Sequence, residues 1–106
     1  MSLQILALAD GRLPVATGVL YTVPVGRTTI IKTITVVNTD VATRQFNLYL
    51  RRTGTLRNIS PANQSIGAGW KSVEDDPHTM QSGDTVEGNA SVGGVIDYTI
   101  DGVENA

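Results

Sequence analysis

The sequence contains no cysteine, which excludes disulfides and thiol chemistry. It has one histidine, His78. A metal centre generally needs two or three ligands at fixed geometry, and any Ser/His nucleophile would have to use this same imidazole. No apolar run approaches the ~20 residues that span a bilayer. Helical periodicity, heptads, internal repeats and linker-like segments are all missing. The opening Met1-Ser2-Leu3-Gln4-Ile5-Leu6 lacks the basic flank of a signal peptide. It reads as a cytosolic start whose apolar residues enter a first strand. The length of 106 residues suits one domain, 1–106, with a modest core.

What the chain does have is β-forming residues. Val, Ile and Thr are restricted at χ1 and fit a pleated surface better than a helix. Leu3 to Ala9 reads as a strand closed by an Asp10-Gly11 turn. Val19 to Val23 is a short strand, turned by Pro24-Val25-Gly26. Thr28 to Val37 is the longest strand and is apolar on both sides, with Ile30, Ile34 and Val36 on one face and Ile31 and Val37 on the other. Such a strand is central, meets another subunit with its second face, or carries a bulge.

Arg44 to Arg52 alternates cleanly. Phe46, Leu48 and Leu50 point one way, and Gln45, Asn47, Tyr49 and Arg51 the other. Thr53-Gly54 turns into a hairpin partner, Leu56 to Ile59. Ser60 to Gly69 and Asp75 to Gly83 read as polar loops, with a short strand, Trp70 to Glu74, between them. Asp84 to Val92 alternates again. After Gly93-Gly94, Val95 to Ile100 forms the last strand, with Ile96, Tyr98 and Ile100 inward and Asp97, Thr99 and Asp101 outward. Gly102 to Ala106 is expected to fray. About eight short strands separated by turn signals predict an all-β fold, an antiparallel β-sandwich of jelly-roll type.

Charge is unevenly placed along the chain. All eight basic residues lie between Arg12 and Lys71, and eight of the ten acids lie from Glu74 to Glu104. This predicts either a molecule with a basic and an acidic surface or two solvated halves interleaved in one sandwich. The polarised reading groups Arg44, Arg51, Arg52 and Arg57 apart from Glu74, Asp75, Asp76 and Glu87. Few aromatics and an acidic balance give no support to nucleic-acid binding.

No constellation points to catalysis. Asp75-Asp76-Pro77-His78 is a polar loop facing solvent sooner than a metal site, and no carboxylate pair is marked as buried. Neither a metal nor a cofactor is expected. The candidate residues are instead those of an interface. Ile31 and Val37 carry the second apolar face of the longest strand. Tyr49 and Arg51 form a pair on an otherwise polar face. Trp70 plugs one end of the core, or, if exposed, stacks on a sugar ring. The core placement is the expectation.

The segment Leu20-Tyr21-Thr22-Val23-Pro24-Val25-Gly26, running into the Ile-rich strand that ends at Asn38-Thr39, resembles the small β-sandwich structural proteins of tailed-phage virions. Met80-Gln81-Ser82-Gly83-Asp84-Thr85-Val86 is similar to a turn-and-strand found late in those proteins. The resemblance implies a non-catalytic virion protein without cofactors, whether a capsid decoration or cement protein, a neck or tail adaptor, or a head- or tail-fibre component, and the capsid decoration protein is the expectation. Its implied partners are other copies of itself, commonly as a trimer, and the major capsid protein, with neither nucleic acid nor membrane. Its implied location is the virion, after synthesis in the bacterial host cytoplasm. The alternative is a carbohydrate- or receptor-binding module of a tail or fibre.

Overall fold

The computed structural model describes residues 3–105, with side chains from Ala7 onward; the first two residues of the expected strand-forming start lie outside it. Ten strands follow in order. They are β1 (Leu3–Arg12), β2 (Gly18–Thr22), β3 (Thr28–Asn38), β4 (Arg44–Arg52), β5 (Thr55–Asn58), β6 (Gln64–Ile66), β7 (Lys71–Glu74), β8 (His78–Met80), β9 (Thr85–Ala90) and β10 (Ile96–Asn105). They form two antiparallel sheets. One has the order β1-β10-β3-β7, with β8 also paired to β3. The other has the order β2-β9-β4-β5, with β6 also paired to β4.

The pairing has a simple logic. The first strand pairs with the last and the second with the second-last. The third pairs with β7 and β8, and the fourth with β5 and β6. If β5/β6 and β7/β8 are each taken as one interrupted strand, the chain is a single eight-stranded hairpin rolled into a sandwich. That is the jelly roll.

The core follows from side-chain alternation. Phe46, Leu48 and Leu50 from β4 face Ile96, Tyr98 and Ile100 from β10, and all are buried. Val86 and Ala90 complete the β9 face, and Leu13, Val23, Ile66 and Met80 fill the ends. Full burial of such side chains contributes roughly 1.5–3 kcal/mol each.

Several expectations change. Asp10-Gly11 is not a turn, because β1 continues to Arg12 alongside β10. A register shift between Ala7 and Ala9 absorbs one extra residue in β1. The tail does not fray. Gly102 to Asn105 extends β10 between β1 and β3, so its backbone is paired on both sides. Each polar loop hides a three-residue strand, β6 and β8, fastened to the strand beside it.

β3 resolves the question of its two apolar faces. Thr33 pairs with Asp101 but Ile31 with Gly102, so Lys32 is an extra residue. This bulge reverses the alternation. Thr29 and Ile31 before it and Ile34, Val36 and Asn38 after it all point inward. Ile30, Thr33, Thr35 and Val37 line the outer side and are half-buried.

A polar cluster also links the two sheets. The Tyr21 hydroxyl lies 2.9 Å from the Thr29 hydroxyl and donates to Glu104 at 3.2 Å, while Arg27 donates to the other Glu104 oxygen at 3.2 Å. Burial pushes the Tyr21 phenol above its ordinary value, and the Glu104 carboxylate pushes it the same way. The proton therefore stays on Tyr21.

A candidate assembly surface

Trp70 is the main departure from expectation at the candidate interface. It is 71% exposed and outside the core. The reason is the turn that carries it. Trp70 N–H donates to Gly67 C=O at 3.0 Å, closing a tight turn between β6 and β7, with Gly69 at φ +73°. Gly69 N–H donates to Asn38 C=O at 3.0 Å, and Asn38 N–H to Trp70 C=O at 2.9 Å. The backbone is thus tied to the end of β3 while the indole points outward. The ring rests on Gly67, where a Cβ would stand 2.9 Å from indole Cδ1. Only glycine lets the ring lie there.

Asn38 is the anchor of this arrangement and is fully buried. Its side-chain NH2 donates to the carbonyls of Ala42 at 2.8 Å, Ile66 at 3.0 Å and Gly67 at 3.3 Å. Its Oδ1 accepts from Asp40 N–H at 3.0 Å, an Asx-type turn. One amide holds the β3–β4 loop, the end of β6 and the tryptophan turn together.

A shallow groove of about 250 Å³ runs beside the indole, bounded by Gln64, Ser65, Ile66, Lys71 and Ser72. Lys71 is the register partner of Val37, and Val73 that of Thr35. Partners in register share a face, so Trp70 borders an outer face carrying Val37 and the half-exposed Val73. Of the five candidate interface residues, Trp70 and Val37 are therefore neighbours. Ile31 is in the core at 1% exposure, placed there by the Lys32 bulge, and presents nothing to a partner.

Tyr49 and Arg51 lie on the outer face of the other sheet. Tyr49 is half-buried opposite Glu87 and Asn58. Arg51 is already committed: its Nε donates to Glu87 at 2.8 Å and its Nη1 to Gly54 C=O at 3.1 Å. The Arg51 hydrogen bond holds the Glu87 carboxyl below its ordinary value, against the opposing effect of burial, and the Thr85 hydroxyl adds to it. Beside them, Asn47 donates to Asn63 at 3.1 Å and to Asn89 at 2.9 Å, and Asn89 to Thr17 at 2.7 Å. This face is a polar network with two exposed apolar residues at its sides, Val19 opposite Glu87 and Leu56 opposite Arg51.

The charge-polarity expectation breaks at Arg51 and Glu87, which it set apart and which pair at 2.8 Å, for a topological reason. A jelly roll seats strands of the first half beside strands of the second. Arg51 on β4 meets Glu87 on β9, Arg12 on β1 meets Asp97 on β10 at 3.4 Å, and Arg27 meets Glu104 at 3.2 Å. Arg44 pairs with Asp40 at 2.6 Å. Among the described residues, no group of three or more His, Asp or Glu is placed to hold a metal ion.

No family model matches the chain, and no curated protein matches it in sequence. Solved structures do share its fold. A chain from the structure of the T13 viral particle of infectious bursal disease virus superposes with a TM-score of 0.58 at 10% identity. A chain of the Gx strain of that virus does so with 0.55 at 13% identity. These alignments cover 96% and 97% of this chain but 30% and 32% of the viral ones, so the chain spans about a third of their length. A chain from the acid-stable capsid structure of Helicobacter pylori bacteriophage KHP30 superposes with a TM-score of 0.53 at 9% identity. There the match covers 97% of this chain and 92% of that one, so the two are nearly co-extensive. The chain thus has a fold found in virus-particle structures.

Proposed function

We propose that this protein is a bacteriophage virion structural component that binds the outside of the capsid and stabilises it without catalysis. The observation that carries the reading is the rigidly held, exposed Trp70 at the edge of a whole-chain jelly roll. The fold supports it, because a chain of nearly the same extent occurs in a phage capsid structure. Trp70 supports it because a desolvated tryptophan is among the strongest single contributors to an interface, and its backbone is already tied to Asn38, which lowers the entropic cost of association. Val37 and Val73 extend the contact. The partners are further copies of this chain, as a homotrimer, and the major capsid protein. Repetition across a symmetric shell converts modest single contacts into a firm hold.

The test uses particles stripped of the protein. Trp70→Ala should leave the fold unchanged, because the ring is exposed, and weaken binding by about 2 kcal/mol or more, roughly 30-fold. Unchanged affinity sinks this reading of Trp70. Sedimentation that finds only monomer at high concentration sinks the trimer. A copy number per virion set by the few-fold symmetry of a tail, rather than by the shell, sinks the capsid location.

One observation favours a second reading, a carbohydrate- or receptor-binding module of a tail or fibre. The exposed indole lies beside hydrogen-bonding side chains, Gln64, Ser65 and Lys71, in one groove. Aromatic stacking with flanking polar groups suits a sugar ring. Saturable quenching of Trp70 fluorescence by bacterial surface polysaccharide, lost in Gln64→Ala, would favour it over the capsid role.

A further inference from the structure

At the edge where β5 and β8 approach each other, the two sheets leave a second pocket, and its lining has an unbalanced chemistry. Register explains what points into it. Leu50 faces the core, and its partner on β5 is Arg57; opposed residues share a face, so Arg57 lies on the inner side of its sheet. Arg52, two residues beyond Leu50, shares that side. In the other sheet His78 pairs with core-facing Ile31, so His78 points inward from the opposite wall. Leu50, Arg52, Arg57, Asn58, Ile59 and His78 enclose about 180 Å³.

Arg12, Arg27, Arg44 and Arg51 each have a carboxylate partner. Among the described residues, no carboxylate comes within 4 Å of the guanidinium of Arg52 or Arg57. Glu74, Asp75 and Asp76 precede His78 in the chain but do not reach them. His78 Nε2 is buried and has no hydrogen-bond partner. A buried polar atom without a partner is costly and calls for an explanation. Two guanidiniums without a carboxylate partner, and a histidine whose buried Nε2 lacks a hydrogen bond, therefore line one cavity together with Leu50 and Ile59.

We propose that this cavity binds a small tetrahedral oxyanion of the phosphate or sulfate kind. Arg52 and Arg57 supply charge-assisted donors. His78 Nε2–H donates from the opposite sheet, and the Asn58 side chain adds a neutral donor at the rim. Donors arriving from both walls suit a tetrahedral acceptor better than a planar carboxylate. The volume lies well below the roughly 300–1,000 Å³ of ordinary ligand pockets, which fits an ion and not a larger molecule. The bound ion bridges the two sheets at the edge where both outer strands are interrupted, so it acts as a non-covalent staple.

The test is calorimetric titration of the full chain with inorganic phosphate and sulfate, at ionic strength held constant with chloride. Saturable one-site binding is expected. Arg57→Gln, at an exposed position, should weaken it at least 10-fold and keep the wild-type fold by circular dichroism. His78→Gln should weaken it too, while Arg12→Gln, on β1 at the far edge of the sheet, should leave it unchanged. The His78 ring resonances should shift with phosphate and not with chloride. Non-saturable heats, or equal affinity in wild type and Arg57→Gln, overturn the site. Saturation by acetate but not by phosphate overturns the tetrahedral assignment in favour of a protein carboxylate. None of these outcomes depends on capsid binding through Trp70.

Discussion

Replacing Asn38 by alanine is expected to be among the most damaging single changes in the molecule, although the residue is polar. Its side chain is completely buried and satisfies groups in three segments. Without it, Asp40 N–H loses its acceptor, and the carbonyls of Ala42, Ile66 and Gly67 lose a donor. The Ile66 contact is fully buried, while those to Ala42 and Gly67 are only partly so, and there water can substitute. A buried group left without a partner costs about 1–3 kcal/mol, so one full penalty and two or three partial ones sum to about 3–5 kcal/mol. A domain of this kind has a total of about 5–15 kcal/mol. Asn38→Asp is the sharper variant. It keeps the shape and the acceptor for Asp40, but it sets carboxylate oxygens against three carbonyls. Its loss at neutral pH should equal or exceed that of alanine. Urea unfolding followed by far-UV circular dichroism measures both, and faster hydrogen exchange at the Gly69 amide should accompany them as the tryptophan turn loosens. Losses below about 1 kcal/mol in both variants would refute the idea that this amide is the anchor.

Three other perturbations probe separate parts of the fold. Leu48→Ala removes a buried side chain from the middle of the sandwich and should cost roughly 2–5 kcal/mol in urea unfolding; a loss under about 0.5 kcal/mol would mean the face is misassigned. Thr53 adopts φ 47° beside Gly54 at φ 82° in the β4–β5 hairpin, a conformation that suits Asn-Gly far better than a β-branched residue. Thr53→Asn should therefore raise the melting temperature, and a lower one would show that Thr53 makes a compensating contact. Glu87 has a folded-state pKa below its unfolded value because of Arg51, so its stabilisation is complete above the unfolded value and is lost as pH falls through the folded one. Thermal melts from neutral to strongly acidic pH should show a shallower acid limb in Glu87→Gln than in wild type, and identical limbs would contradict the coupling.

The parts of the fold legible in the sequence are those with uninterrupted alternation. β4 and the first half of β10, to Ile100, are assigned to faces residue by residue because nothing breaks their period of two, whereas the glycine and acids of the second half hide its continuation. β3 is not, since a single extra residue at Lys32 reverses which side chains meet the core, and bulges carry no reliable signature in composition. The three-residue strands β6 and β8 sit in segments rich in turn-forming residues, where pairing is imposed by β4 and β3 and not by local preference. The outward direction of Trp70 is hidden for a related reason. Its size and apolarity favour burial, but the Gly67–Trp70 turn and its ties to Asn38 decide its direction, and these depend on a residue more than thirty positions away. The Arg52, Arg57 and His78 pocket was invisible because its members come from both sheets. The charge skew, visible at once, mostly cancels when the halves interleave.

Pairing the first strand with the last has a consequence for how the molecule comes into being. β10 is the shared spine of its sheet, lying between β1 and β3, yet it is encoded after every other strand. Until it emerges from the ribosome, β1 has no partner and the inner side of β3 lacks the wall formed by Ile96, Tyr98 and Ile100. Contacts between distant parts of a chain form late and make folding slow. Fragments ending before Ile96 should accordingly show no cooperative unfolding transition. A nascent or cleaved chain that lacks β10 therefore has β1 and β3 without the strand that joins them, and its sandwich stays open.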